Sequence, residues 1–167
     1  AGYLGGGNAM PDLTGRVDII GDIEGRGFEA TGPWTARITQ LSGSLYGRPL
    51  TGNGEIGYRD GTFELKRVQV ANAGSRVDID GLWGPNVDLR WSANLKTLSL
   101  IDPSLQGELV SAGSARGTQA RPDIKAEASV RNLRYGSLAA GSIEADFDID
   151  LGDQRDSHVE VQASGVL

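Results

Sequence analysis

Apolar and polar residues alternate with a period of two along much of this chain, and this pattern limits the possible folds more than any other feature. The clearest runs cover residues 76–80, 87–95, 143–151 and 158–163. Such alternation is typical of a β-strand with one face buried and the other in solvent. Counting the runs predicts about 12 strands. We therefore expect an all-β fold.

Glycine supplies 25 of the 167 residues, about twice its ordinary share. Scattered glycine disfavours helices, because each one inside a helix costs about 1 kcal/mol relative to alanine. Asp60-Gly61 is the clearest hairpin signal. Further turns are predicted at residues 72–74, 84–86 and 152–153. Residues 95–105 alone have helical spacing, and Pro103 limits them to at most one short helix near residues 96–103.

The apolar face changes phase within residues 63–70. Phe63 and Leu65 have odd numbers, whereas Val68 and Val70 have even numbers. Strict alternation would therefore put the two pairs on opposite faces of the strand. A β-bulge or tight turn near Lys66 would return both pairs to one face.

A motif of leucine and glycine occurs twice, at Leu13-Thr-Gly15 and at Leu105-Gln-Gly107, with further glycines following at equal spacing. A repeat indicates an extended architecture in which each unit covers its neighbour. We expect a flexible or artificial start over residues 1–12, a first β unit over 13–104, and a second, truncated unit over 105–167 of the same continuous sheet.

Charge and composition exclude several classes of function. The net charge is −6 and there is no cysteine. An acidic chain repels phosphate backbones, so we expect no nucleic-acid partner. Without cysteine there is no disulfide, thiol catalysis or cysteine zinc site. His158 is the sole histidine, so neither a two-histidine metal site nor any other cofactor is expected.

Three local patterns resemble catalytic or ligand sites, and each has a simpler interpretation. The glycines at residues 52–57 match a dinucleotide motif but precede a hairpin rather than the required helix. Asp146, Asp148 and Asp150 share one strand face and point to solvent rather than converging on a cation. The sequence offers no nucleophile on a strained turn to accompany His158, which a catalytic triad would need. We therefore expect that the chain is not an enzyme.

The alternating apolar face is the feature that remains as a candidate site. The sheet could cover this face by closing as a barrel, folding into a sandwich or curling into a trough. Trp91 continues the face of Val87 and Leu89, whereas the sequence does not place Trp34 or Trp83. The residues predicted to line a hydrophobic groove are Val17, Ile19, Val77, Ile79, Val87, Leu89, Trp91, Ile143, Phe147 and Ile149.

The order of several short motifs resembles the TamB family, the inner-membrane subunit of the translocation and assembly module, in its C-terminal region. These motifs are Asp88-Leu-Arg-Trp91, Asn94-Leu95, Pro103-Ser-Leu-Gln-Gly107, Arg116-Gly-Thr118, Arg121-Pro122 and Asn132-Leu-Arg-Tyr135. The resemblance extends over residues 13–167. It implies an elongated, curled antiparallel or mixed sheet, a β-taco-like trough with an apolar interior, similar to AsmA-like and bridge-like lipid transport proteins.

The resemblance also implies a function. The expected role is a segment of a periplasm-spanning protein of a Gram-negative bacterium, anchored in the inner membrane outside this soluble segment. Its groove would shield lipid acyl chains or outer-membrane protein strands. It would thereby support outer-membrane protein assembly and phospholipid transport, with an outer-membrane barrel of the Omp85 family as partner of the full-length protein. The alternative is a structural β-solenoid or sandwich, a spacer or adhesin repeat without an open groove.

Overall fold

The strands form one open sheet in sequence order. In the computed structural model, the described residues are 15–25, 32–45, 47–151 and 157–166. They contain ten strands, each hydrogen-bonded antiparallel to its neighbours in the chain. The bounds are β1 (Gly15–Gly25), β2 (Trp34–Leu45), β3 (Arg48–Arg59), β4 (Thr62–Asn72), β5 (Ser75–Trp83), β6 (Asn86–Leu95), β7 (Leu105–Thr118), β8 (Arg121–Tyr135), β9 (Leu138–Asp150) and β10 (His158–Ser164).

The predicted all-β fold is confirmed, and the pairing is antiparallel throughout the described strands. Strands β1 and β10 are the two edges of the sheet, so it is not closed. The described residues contain ten strands, against about 12 expected for the whole chain. The sheet runs without a break from β6 into β7, across the predicted unit boundary at residues 104–105. The division into two units stays a prediction, and the proposed leading segment, residues 1–12, lies outside the described residues.

Two predicted hairpin turns have the backbone conformation that tight hairpins need. Asp60 and Gly61 have φ values of 49° and 77°, and Ala73 and Gly74 have 49° and 82°. Two successive positive φ values match the right-handed twist of the flanking strands. Residues 84–85 connect β5 to β6, also as predicted. The turn predicted at residues 152–153 lies outside the described residues.

The predicted phase change in β4 is a bulge. The register against β5 shifts between Leu65, which pairs with Gly81, and Val68, which pairs with Ile79. Arg67 has a φ of 50°, and its backbone N–H donates to Asp80 Oδ2 at 3.0 Å. The bulge therefore keeps the apolar residues of both halves of β4 on the same side of the sheet.

The prediction of at most one short helix near residues 96–103 is confirmed for the described residues. The helix is a single 3₁₀ turn at Leu98–Leu100, and Thr97 Oγ1 accepts from the Ser99 N–H at 3.3 Å. Leu98 is buried, and the turn that carries it contacts β7. No helix in the described part of the chain is long and apolar enough to cross a membrane.

The sheet has very little closed core. Among the described residues, the buried apolar ones are Leu50, Val87, Leu95, Leu98 and Ala140, and no large side chain is fully buried. A two-layer protein normally buries the inward faces of both layers completely. Here most apolar side chains of the sheet keep part of their surface in solvent.

Candidate functional site: the apolar face

One side of the sheet carries most of the apolar residues of its strands. Residues directly opposite each other in an antiparallel pair point to the same side, so the register identifies the shared face. We call this side the apolar face. One registered row crosses all ten strands, and only Ser111 in it carries a polar side chain. In strand order the row is Ile19, Leu41, Gly52, Val70, Val77, Ala93, Ser111, Ala128, Ala145 and Val161.

All ten residues predicted as groove lining lie on this face. Ile79, Trp91 and Phe147 share one row, and the others fall in the rows on either side. Val87 is buried, whereas Val17 and Ile19 on the edge strand are 49% and 61% exposed. The remaining members are half-buried. The register thus brings the ten together on one surface, and their role as the lining of a groove stays a prediction.

The list of predicted groove-lining residues leaves out the apolar residues of β2, β3 and β4. Leu41, Ile56 and Val70 belong to the same face. The sequence does place Val70 there through the predicted bulge, but register shifts between Ile38 and Leu41 and between Asn53 and Glu55 hide the alternation in β2 and β3. A search that allowed one skipped residue per strand would have found them.

Trp91 shapes the centre of the face. A Cβ atom on Gly113 in the adjoining strand would overlap the Trp91 ring, so the indole lies across the space that a side chain at 113 would take. Its Nε1 donates to Ser111 Oγ at 3.5 Å. Beyond Gly113 the row continues through Ala126 to Phe147. Small residues therefore stand between the two large rings of this row.

Four aromatic side chains stand in a row at one end of strands β2 to β5. Trp34 pairs with Tyr58, Tyr58 with Phe63, and Phe63 with Trp83. The ring centroids of Trp34 and Tyr58 are 6.2 Å apart, and those of Tyr58 and Phe63 are 5.0 Å apart. The structure thus places both tryptophans that the sequence left unassigned on the apolar face, at its margin.

The opposite side of the sheet is mainly polar, and several of its charges are paired across strands. Glu55 accepts from Lys66 and from Arg37, each at 3.3 Å, and Lys125 donates to Asp148 at 3.1 Å. The hydrogen bond from Lys66 is the main cause of a lowered pKa of Glu55, and Asp148 raises the pKa of Lys125. Exposed pairs of this kind contribute little stability and keep this face in water.

The patterns set aside at the sequence level lie where the simpler interpretation predicted. Residues 52–57 are inside β3, followed by a hairpin. Asp146 and Asp148 of β9 lie on the polar side of the sheet. No three acidic or histidine side chains of the described residues cluster as metal ligands. His158 is an exposed residue at the start of β10.

The family comparison covers nearly the whole chain. The family described as TamB, N-terminal domain, matches residues 6–167. The chain belongs to the TamB family. This membership links it to the translocation and assembly module, as the sequence motifs implied. The placement in the C-terminal region of TamB is not confirmed, since the matching family is described as an N-terminal domain. No curated protein and no solved structure matches the chain.

Proposed function

We propose that this TamB segment is a non-enzymatic conduit whose apolar face forms the wall of a groove that shields lipid acyl chains from water. The observation that carries the proposal is the row across all ten strands, in which only Ser111 is polar and most side chains are incompletely covered. Large contiguous apolar surfaces on soluble domains mark interaction sites. The row is about 43 Å long at the usual strand spacing of about 4.8 Å, well over the ~15 Å of a bilayer leaflet's hydrocarbon layer.

Acyl chains suit this surface better than an unfolded outer-membrane strand does. Inner strands of the sheet have their backbone groups paired on both sides, so the apolar face offers a ligand almost no hydrogen bonds. A peptide laid on it would leave its own N–H and C=O groups unpaired, at about 1–3 kcal/mol each, whereas an acyl chain has none. An outer-membrane strand would bind better at the edges β1 and β10, by strand addition.

The mechanism is passive. Each methylene moved from water onto the face gains about 0.8 kcal/mol, wherever along the row it lies. A nearly uniform aliphatic surface therefore holds a chain without trapping it at one point. In the cell we place this segment in the periplasm, as part of an inner-membrane-anchored protein working with an outer-membrane barrel of the Omp85 family. Such a segment would support phospholipid transport and outer-membrane protein assembly.

A pair of adjacent positions tests the proposal. Ala93 points to the apolar face and Asn94 to the polar face of the same strand. With a photoreactive benzophenone residue at one position or the other, we expect phospholipid adducts from position 93 and almost none from 94. The measurement is mass spectrometry of the irradiated protein after incubation with phospholipid vesicles.

Three results would contradict acyl-chain binding on this face. Equal lipid adducts at both positions would mean non-specific contact with the vesicles. Protein adducts at 93 in cells, without lipid, would favour outer-membrane strands as the cargo. No adduct at either position would favour a structural spacer.

A further inference from the structure

The four aromatic side chains at one margin of the apolar face form an accessible boundary. We call Trp34, Tyr58, Phe63 and Trp83 the aromatic row. Neighbouring members pair across strands β2 to β5. Phe63 and Trp83 are 39% and 44% exposed, and the other two rings are half-buried. The row therefore presents part of its ring surface to solvent and to any ligand on the face.

The polar groups of the aromatic row have no partner within the described part of the chain. The Nε1 groups of Trp34 and Trp83 and the hydroxyl of Tyr58 form no hydrogen bond with any other residue that the structure describes. In the middle of the face, by contrast, Trp91 Nε1 donates to Ser111 Oγ at 3.5 Å. Rings that combine an apolar body with a free polar group concentrate where lipid headgroups meet hydrocarbon.

The opposite end of the same strands is closed. Leu50, Asn72 and Ser75 form one row of the apolar face there, on β3, β4 and β5, and they are only 8%, 6% and 3% exposed. Ser75 Oγ accepts from the backbone N–H of Lys96 at 2.9 Å. We call these three residues the closed row. A lipid on the face thus meets accessible rings at one margin and buried side chains at the other.

The span between the two rows suits the length of an acyl chain. On β5 the residues in between on the same face are Val77, Ile79 and Gly81, none of which has a polar side chain. Val77 is six residues from Trp83, about 20 Å at the usual rise of a strand. The hydrocarbon layer of one bilayer leaflet is about 15 Å thick. An acyl chain that begins at the aromatic row therefore ends before the closed row.

We propose, on the basis of the function proposed above, that a bound phospholipid lies across the face in one orientation. Its acyl chains run along strands β3 to β5, and its glycerol and phosphate lie at the aromatic row. The tryptophan N–H groups and the Tyr58 hydroxyl donate to its ester and phosphate oxygens. The closed row limits the chains at their methyl ends. Cargo in the groove thus keeps its headgroup at one margin of the sheet.

Two native tryptophans test this orientation. Trp83 is in the aromatic row, and Trp91 is opposite Ile79, about 13 Å further along the strands. The pair Trp34→Phe and Trp91→Phe leaves Trp83 as the sole tryptophan, and the pair Trp34→Phe and Trp83→Phe leaves Trp91. Each variant is incubated with vesicles of phosphatidylcholine that carries bromine near the carbonyl end or near the methyl end of its acyl chains. The chain is then re-isolated by gel filtration with its bound lipid.

Bromine quenches tryptophan fluorescence only near contact, so the two reporters should respond oppositely. We expect carbonyl-side bromine to quench Trp83 more than methyl-side bromine does. For Trp91 the ratio should invert.

Tyr58→Phe tests the polar contacts separately. The change keeps the ring and removes the free hydroxyl, so we expect about fivefold weaker phospholipid binding, the usual worth of one hydrogen bond. Tyr135→Phe is the matched control, because Tyr135 is a 52% exposed tyrosine that ends β8 at the other end of the strands. It should leave the affinity unchanged.

The outcomes separate this inference from the function on which it rests. Equal quenching of each reporter by both lipids, or strongest quenching of Trp83 by methyl-side bromine, would overturn the orientation and leave the conduit intact. Equal affinities of Tyr58→Phe and Tyr135→Phe would overturn the polar contacts at the aromatic row. A re-isolated chain without bound lipid would overturn the proposed function itself.

Discussion

Ile79→Asp should leave the chain folded and reduce its affinity for phospholipid by about 30-fold. Ile79 lies near the middle of the apolar face, opposite Trp91, and is half-buried. An acyl chain packed there would have to desolvate the new carboxylate, at about 2 kcal/mol, which corresponds to that factor in affinity. The measurements are titration with a fluorescent phospholipid and thermal unfolding followed by circular dichroism.

Leu82→Asp is the matched control for this change. Leu82 is on the same strand but pairs with Asp88 and Glu64 on the polar side, where it is 40% exposed. The substitution adds the same charge and removes a similar aliphatic side chain, so it should leave lipid affinity within about twofold.

Phe147→Arg, on the Ile79 row, gives a second test with the opposite charge.

Two outcomes would contradict an open lipid-binding face. Equal loss of affinity in Ile79→Asp and Leu82→Asp would mean that binding depends on overall charge. If both the Ile79→Asp and the Phe147→Arg variants were unfolded under native conditions, these positions would belong to a closed core, as in a sandwich.

Gly81→Val should destabilise the chain by about 3 kcal/mol or more. Gly81 has a φ of 125°, and a Cβ atom there would overlap the Asp88 carbonyl oxygen on the neighbouring strand. The left-handed backbone alone costs a non-glycine residue about 1–3 kcal/mol, and relief of the overlap would separate β5 from β6. Urea unfolding measures the difference.

Gly141→Val provides the comparison for stability. Gly141 lies in β9, and its nearest neighbour, Ser164 O, would be 3.4 Å from an added Cβ. Strand propensities span about 1 kcal/mol, so the change should fall within that range. If both valine variants lost equal stability, the close approach of β5 and β6 at Gly81 would not be what requires glycine there.

The sequence predicted the strands and the apolar face because a single physical rule governs both. Side chains of a strand alternate between faces, so residues such as Ile79 and Phe147 could be assigned to one side without knowing their neighbours. Turn chemistry predicted the Asp60-Gly61 hairpin for the same local reason. The bulge at Arg67 was predictable since it had to restore a broken phase.

Features that depend on pairing between strands could not be predicted in this way. Alternation is the same in a sandwich, a barrel and an open sheet. That β1 and β10 are unpaired edges could therefore be seen only in the structure. The row of four aromatic side chains joins residues from four strands, and only the register of Trp34 with Tyr58 and of Phe63 with Trp83 brings them together. Likewise Leu41 was hidden by a register shift in β2.

The proposed function requires that the apolar face of this chain holds phospholipid acyl chains. It is tested most directly by extracting the purified, folded chain with organic solvent and measuring lipid by mass spectrometry. We expect phospholipid in near-stoichiometric amounts, retained after gel filtration. A chain that unfolds cooperatively, remains monomeric and contains no lipid even after incubation with vesicles would contradict it.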